Sequence, residues 1–204
     1  MKKLSKGTIG IIVLAVVAVL WVMSKYNTMV TKQEAVETAW GNVQNEYQRR
    51  LDLIPGLLNS VKAAAKHETD IFDKLAQARQ AASTLKIDAA DLTEENLAKF
   101  QAAQGEISNL MSRLMAIAED TPELKANENF LKYMDQYEGT ENRIRTARER
   151  FNESAQDYNT YIRKFPANIC ASIFGFEKRP YFQAEAGAEK APDTASMWGK
   201  MVED

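Results

Sequence analysis

The most constraining feature of the sequence is an apolar run near its start. Residues 8–23 read TIGIIVLAVVAVLWVM, sixteen residues without a charge. A helix of this length spans about 24 Å, and the wider stretch from Leu4 to Tyr26 spans about 34 Å, enough to cross a hydrocarbon core of roughly 30 Å. Trp21 and Tyr26 are of types that favour a membrane interface. The run therefore predicts a membrane-spanning helix.

The predicted anchor has a competing interpretation, a cleaved signal peptide. Val16-Val17-Ala18 offers small or tolerated residues at the cleavage positions. The next five residues, 19–23, are apolar where a polar region is expected, which favours an uncleaved anchor. The predicted anchor residues are Thr8, Ile9, Ile11, Ile12, Val13, Leu14, Val16, Val17, Val19, Leu20, Trp21, Val22 and Met23.

The charges that flank the run predict its orientation. Lys2, Lys3 and Lys6 precede it, whereas Lys25 and Lys32 follow it. Because cytoplasmic flanks carry the excess of Lys and Arg, we expect a cytoplasmic N-terminus. The chain would then be a single-pass protein of the bacterial cytoplasmic (inner) membrane, with its bulk on the extracytoplasmic (periplasmic) side.

The composition favours helices and argues against nucleic-acid binding. Nine Gly and five Pro among 204 residues are few for a fold with many β-hairpins. The net charge of −2 arises from 26 basic and 28 acidic residues that are interspersed, so no basic surface is expected to attract phosphates. Cys170 is the single cysteine, which excludes an internal disulfide.

After residue 27 the apolar positions become periodic, in steps of three and four that predict helices packed on one another. Pro55 lies within this pattern and predicts either a kink or a new helix, and Leu-Ile-Pro-Gly favours a distinct break. The first seam comprises Val36, Trp40, Val43, Tyr47, Leu51 and Ile54, and the stretch after the proline continues it at Leu58, Val61, Ala65, Phe72 and Leu75.

Capping residues delimit two further helices. Asp91 or Thr93 is expected to cap a third helix, and Thr121-Pro122 to begin a fourth that runs to about Lys164. Their seams are Phe100, Ala103, Ile107, Leu110, Leu114 and Ile117, then Tyr137, Ile144, Phe151, Tyr158 and Ile162. Three to four long helices joined by short connections predict an all-α fold, an elongated antiparallel up-and-down bundle behind the transmembrane helix.

The polar faces of these helices mix both signs of charge. Examples are residues 46–50, with Glu46, Arg49 and Arg50, and residues 141–150. We expect solvated surfaces with local ion pairs, because such runs are common on helices. A partner-binding surface is the alternative.

No recurrent catalytic arrangement is found in the sequence. His67 is the single histidine, so neither a two-histidine metal site nor the paired Glu-x-x-His of di-iron bundles can form. Cys170 lies in an apolar segment, which predicts a buried small residue. Phosphate-binding loops and a nucleophile elbow are absent as motifs. We therefore predict no cofactor, metal or catalytic residue, and a site made only of carboxylates is the remaining enzymatic alternative.

An aromatic segment near the C-terminus carries a large apolar surface whose exposure to water is unfavourable. It reads IRKFPANICASIFGFEKRPYF at 162–182. One interpretation is a short helix, 167–174, that folds back over the bundle, with Pro166 turning the chain and Gly175 ending the helix. The others are a groove on a neighbouring copy and the membrane surface, with Lys164, Lys178 and Arg179 near headgroups, and of these two we favour the neighbouring copy. The candidate docking or oligomer contacts are Phe165, Ile169, Ile173, Phe174, Phe176, Tyr181 and Phe182.

Several specific sequence motifs resemble one family. They are KYNTMV at 25–30, RRxDLIP within 39–58, VKAAAKHE at 61–68, and YNxxIxxFP and FGFxxxxYF within 141–182. The chain thus resembles the LemA family of bacterial membrane proteins over nearly all of its length beyond the anchor. The resemblance implies a single-span protein with an elongated antiparallel helical bundle and provides no catalytic residues. Some family descriptions place the short N-terminus outside, against the charge count.

Together these observations predict a non-enzymatic, membrane-anchored scaffold that self-associates at the bacterial envelope. Its expected partners are membrane lipid, further copies of the chain and envelope proteins, with no nucleic acid. A membrane-shaping oligomer is the alternative, and the carboxylate-only enzyme is less favoured. The predicted organisation is an N-terminal stub and anchor at 1–26, the bundle at 27–165, and the aromatic docking segment with a mobile tail at 166–204.

Overall fold

The computed structural model describes residues 6–61 and 69–183, and the regular secondary structure of these residues is entirely helical. The predicted all-α class is confirmed. His67 and the predicted tail from residue 184 onward lie outside the described residues. In chain order the elements are α1 (Lys6–Val61), α2 (Thr69–Thr84), a 3₁₀ turn (Ala89–Asp91), α3 (Glu94–Asp120), α4 (Pro122–Lys125), α5 (Glu128–Arg163) and α6 (Ala167–Phe174).

The long helices alternate in direction around α1. Lys32 of α1 pairs with Asp157 of α5 at 2.5 Å, and Arg50 of α1 pairs with Glu141 of α5 at 2.9 Å. Because the residue numbers rise along α1 while those of the partners fall along α5, the two helices are antiparallel. The α2 helix runs along α1 in the opposite direction. The segment after α2 brings the carbonyl of Ile87 beside α1, whose side chains donate hydrogen bonds to it. The bundle is therefore of the predicted up-and-down kind.

Two apolar cores follow one another along α1. The first is centred on Trp40, whose ring centroid lies 5.3 Å from that of Phe100 in α3 and 5.8 Å from that of Phe151 in α5. The second, farther from the N-terminus, joins α1, α2, α3, α4 and α5. All six predicted seam residues of α1 before Pro55 are buried, whereas Ala103 and Ile117 of the predicted α3 seam are only partly buried.

The predicted break at Pro55 is wrong, because α1 continues through it to Val61. Proline has no N–H for the carbonyl of Leu51, four residues earlier. That carbonyl accepts a hydrogen bond from Nε of Arg79 in α2, at 2.9 Å, so the lost bond is replaced from a neighbouring helix. Gly56 then lets Tyr133 of α5 approach closely: a Cβ at residue 56 would lie 2.4 Å from the phenol.

The predicted start of the fourth helix at Pro122 is also wrong. Pro122 begins only the single turn α4, and the long helix begins at Glu128. Asn127 caps it, because its Oδ1 accepts hydrogen bonds from the backbone N–H groups of residues 129 and 130. Its Nδ2 also donates to the carbonyl of Ser60, which ties this cap to α1. The Thr93 cap of α3 is as predicted.

Candidate functional site

The first part of α1 presents an almost unbroken apolar surface. It contains an 18-residue window of mean hydropathy 2.5 that is not buried in the structure, long and apolar enough to cross a membrane. All the predicted anchor residues lie on this stretch and are exposed except Val22, which packs partly against the first core. A core helix of a soluble protein would be buried there, so these features indicate a membrane-associated chain. Whether the segment is retained without cleavage stays a prediction.

The short helix α6 has the folded-back position that one interpretation of the aromatic segment required. It begins after Pro166, and Gly175 ends it with a φ of 73°, a conformation that favours glycine. Its inward side consists of the small residues Ala167, Cys170 and Ala171, all buried. Small side chains allow α6 to lie close against α1 and α5.

The large apolar residues of α6, and Phe165 just before it, are exposed instead. Phe165 is 80% exposed, Ile173 71%, Ile169 51% and Phe174 47%. We call these four residues the α6 apolar face. A helix on a water-exposed surface normally turns its large apolar residues inward. The arrangement on α6 is the reverse.

The α6 apolar face lies where α1 leaves the bundle. The ring of Phe174 is 5.1 Å from that of Tyr26, and the ring of Phe176 is 5.6 Å from it. Lys25 Nζ lies 5.9 Å from the ring of Tyr161 near the end of α5. The end of α5 is therefore level with the end of the predicted membrane span.

Exposed apolar side chains are concentrated at this end of the molecule. Apart from α1 up to Tyr26 and the α6 apolar face, the described residues include two large apolar side chains that are exposed, Leu131 and Tyr181. Leu131 is in the first turn of α5, at the opposite end of the bundle. The apolar surface is thus polarised along the bundle axis.

The structure separates the seven predicted docking residues into four groups. Four form the α6 apolar face, and Phe176 is partly buried beside Tyr26. Phe182 is buried in the first core, where its ring lies 5.4 Å from Phe151. Tyr181 is exposed but lies apart from α6, on the segment that returns along the bundle. Only the first group brings several exposed apolar side chains together.

This return segment, residues 175–183, is held by two asparagines that sequence reasoning did not identify. Asn159 donates to the carbonyl of Arg179 at 2.8 Å and accepts from its N–H at 2.9 Å. Asn152 makes the same pair of bonds with Phe182, at 3.0 and 2.8 Å. Each side-chain amide therefore substitutes for a neighbouring strand. Their seven-residue spacing, on the side of α5 that carries the apolar seam, is the sequence signal that could have identified them.

Arg179 is part of the same attachment. Its guanidinium donates to the carbonyl of Ala89 at 3.1 Å and pairs with Glu37 at 3.3 Å, and its side chain is 15% exposed. The expectation that Arg179 lies near headgroups therefore does not agree with the structure. Lys164 and Lys178 are exposed and remain available for that role.

A buried arginine lies between the two cores. Arg50 Nη1 donates to Ser108 Oγ and to Glu141 Oε1, each at 2.9 Å. Its Nη2 donates to both the backbone carbonyl and the side-chain oxygen of Gln104. The expectation of a solvated Arg50 is wrong, because four acceptors inside the bundle replace water. Its guanidinium also lies 5.0 Å from the ring of Tyr47.

Burial shifts the phenols around this network. Burial raises the pKa of Tyr137 above its usual range, and the negative charge of Glu141 raises it further. Burial likewise raises the pKa of Tyr47, against a smaller lowering by Arg148. Burial also raises the pKa of Tyr158. These phenols stay neutral at physiological pH.

The described residues do not assemble a reactive centre. Within them, no group of three His, Cys, Asp or Glu could hold a metal ion, and no Asp or Glu is fully buried. Cys170 is buried, as predicted. A surface groove of 560 Å³ between α1 and α5 is lined by side chains that are mostly amides and guanidinium groups, among them Asn42, Asn45, Asn142, Arg143 and Arg150.

Known relatives share nearly the whole length of this chain. Two magnetosome proteins of Paramagnetospirillum magneticum, MamQ 1 and MamQ 2, are each 28% identical over 223 residues, which covers 98% of this chain and 82% of the relative. The magnetosome protein MamQ of Magnetospirillum gryphiswaldense is 29% identical over 212 residues, 95% of this chain and 78% of its own. The sequence profile of the LemA family matches residues 39–195, which include most of the bundle and the return segment. The chain therefore belongs to the LemA family.

Proposed function

We propose that this protein is a non-enzymatic scaffold that is anchored in the membrane and self-associates at the bacterial envelope. The observation that carries the proposal is the continuity of α1, which runs without interruption from an exposed apolar stretch into both cores of the bundle. A bundle held in this way presents long surfaces beside a membrane. The same α1 supports a single-pass anchor in the cytoplasmic membrane.

Residues 6–61 and 69–183 bring no reactive groups together, which supports a non-enzymatic role. Among the described residues the most enclosed charged group is Arg50, and its guanidinium donates hydrogen bonds to side-chain and backbone acceptors within the bundle. The relatives are named as magnetosome proteins, and their names state no reaction. A carboxylate-only site has little support, because the described Asp and Glu side chains are at least partly exposed.

Confinement to a membrane supports self-association. Copies that share one plane meet at a high effective concentration, so that modest lateral contacts are sufficient for assembly. A net charge of −2 on 204 residues gives little mutual repulsion. The polar groove between α1 and α5 presents amide and guanidinium groups along the side of the bundle. Envelope proteins are the further expected partners.

The mass of the full-length protein in detergent tests the assembly. In one sample the protein would be extracted from its native membrane without cross-linking and measured by light scattering over a range of concentrations. In a second sample it would be cross-linked in the intact membrane before extraction. We expect a complex of several copies in both measurements. A monomer at every concentration, with no cross-linked species, would refute self-association while leaving the anchor in place.

Protease treatment of cells without an outer membrane tests the orientation. A cytoplasmic N-terminus places the bundle outside, so we expect added protease to digest residues beyond α1's apolar stretch. Digestion only after the cells are lysed would reverse the proposed orientation. Intact cytoplasmic marker proteins serve as the control.

A membrane-shaping oligomer is a second candidate, which the exposed apolar residues at the membrane end favour. Shallow apolar insertions on one side of a bilayer expand that leaflet and favour curvature. Electron microscopy of vesicles at high protein coverage tests this candidate. Vesicles that keep the shape of protein-free controls would exclude it.

A further inference from the structure

We propose that α6 lies on the bilayer surface and inserts its apolar face, Phe165, Ile169, Ile173 and Phe174, among the lipid headgroups and upper acyl chains. This second membrane contact rests on the membrane anchor in the proposed function and goes beyond it. The occupant of the α6 apolar face is thus lipid, and not the neighbouring copy that the sequence favoured.

The reversed polarity of α6 indicates an apolar environment outside the bundle. Its small residues face inward, whereas its large apolar residues face outward and are 47–71% exposed, and Phe165 just before it is 80% exposed. Contiguous exposed apolar patches mark contact sites for proteins or membranes. The bundle does not need these side chains, because the buried Ala167, Cys170 and Ala171 already fill the contact with the first core.

The position of the α6 apolar face favours a bilayer over a protein. Phe174 contacts Tyr26, the aromatic residue at the end of the predicted span, with ring centroids 5.1 Å apart. The exposed apolar surface of α1 reaches Met23 and Tyr26, so the two apolar surfaces are continuous. A bilayer that surrounds the first part of α1 is therefore already beside α6. A second copy would have to enter the same space between the bundle and the lipid.

Basic residues next to α6 fit an anionic headgroup layer. Arg163 and Lys164 come directly before the α6 apolar face, Lys178 follows it, and all three are exposed. Glu177 is the one acidic residue between 163 and 178. Long basic side chains beside an apolar insertion reach headgroup phosphates while their stems cover apolar surface.

A fluorescent label at residue 173 tests the proposal. Ile173→Cys in the full-length chain would carry an environment-sensitive fluorophore, with unsubstituted protein showing how little the buried Cys170 reacts. Leu131→Cys is the matched control, an exposed apolar residue at the opposite end of the bundle. Both proteins would be reconstituted into vesicles of phosphatidylethanolamine and phosphatidylglycerol, with and without lipids brominated in the upper acyl chain.

We expect the label at residue 173 to shift to shorter wavelength in vesicles and to lose at least half its emission with brominated lipid. The label at residue 131 should show neither change. Circular dichroism verifies the fold, and Ile169→Cys is the second variant if the first is misfolded. Resistance to a carbonate wash shows independently that the anchor is inserted.

Two results would overturn the proposal. A label at residue 173 that behaves like the one at residue 131, in protein that resists the carbonate wash, would leave the anchor intact and remove the second contact. A shift that is insensitive to brominated lipid and disappears when the protein is diluted in lipid would assign the α6 apolar face to another copy. Loss of carbonate resistance would instead contradict the anchor itself.

Discussion

Replacing Glu141 with leucine would leave the charge of Arg50 buried without its ion-pair partner. The side chain of Arg50 is 2% exposed and that of Glu141 is 32% exposed. Removing one member of a buried pair typically costs about 3–5 kcal/mol, and the partial exposure of the carboxylate favours the lower end. We expect Glu141→Leu to lower the free energy of unfolding by about 3 kcal/mol, on the order of a hundredfold in the unfolding equilibrium.

Urea unfolding of the full-length protein in detergent micelles, followed by far-UV circular dichroism, would measure this change. Glu138→Leu, one turn earlier on the exposed side of α5, is the matched control and should change stability little. The double variant Arg50→Met, Glu141→Leu should be more stable than Glu141→Leu alone, because no unpaired charge remains. A single variant as stable as the control, or a double variant weaker than the single, would refute the reasoning.

Three further predictions concern contacts that hold the bundle together. Arg79→Met should lower the free energy of unfolding by about 1–2 kcal/mol, because the Leu51 carbonyl loses its partner at the proline, and urea unfolding measures this. Tyr137→Phe should reduce the loss of stability at alkaline pH: the raised pKa stabilises the fold below about pH 10, and this contribution disappears as the pH rises further. Asn159→Ala should release the return segment near Arg179, and limited proteolysis should cut there faster.

Each of these predictions has a matched control. Arg113→Met removes an exposed arginine of α3, Tyr181→Phe an exposed phenol, and Asn109→Ala an exposed asparagine within a helix. The prediction for Arg79 fails if both arginine variants unfold at the same urea concentration. An unchanged alkaline profile in Tyr137→Phe, or equal cleavage rates in the two asparagine variants, would contradict the other two.

The packing of the first core was predictable from the sequence because it depends on periodicity alone. Trp40, Val43 and Tyr47 recur at the spacing of one helix face, and burying that face requires a partner whatever the connections are. The Thr93 cap was predictable for a similar reason, since a local side chain satisfies a local backbone group.

Long-range replacements made the other features unpredictable. Pro55 indicated a break because the donor for the Leu51 carbonyl, Arg79, is 28 residues away in sequence. Arg50 indicated a solvated face because its acceptors are 54–91 residues away. In each case the local rule assumes that a polar group has no partner inside the protein. A tertiary contact provides that partner.

The candidate site was predicted in part. Pro166 and Gly175 indicated a short folded-back helix at 167–174, which the structure contains. The hydropathy of the aromatic residues could not show which of them enter the core, since Phe182 and Phe165 are equally apolar. The asparagine hydrogen bonds that hold Phe182, whose ring lies near that of Trp40, form only after the chain turns back.

Because α1 is uninterrupted, it also fixes the distance of the bundle from the predicted membrane span and the rotation of the bundle about the helix axis. Between Tyr26 and Val61 the helix rises about 50 Å. A partner that binds at the second core is therefore held about that far from the end of the predicted span, measured along the helix axis. One residue inserted near Met23 would turn every side of the bundle by about 100° relative to the span. Seven inserted residues, about two turns, would restore the original azimuth and add only about 10 Å of height.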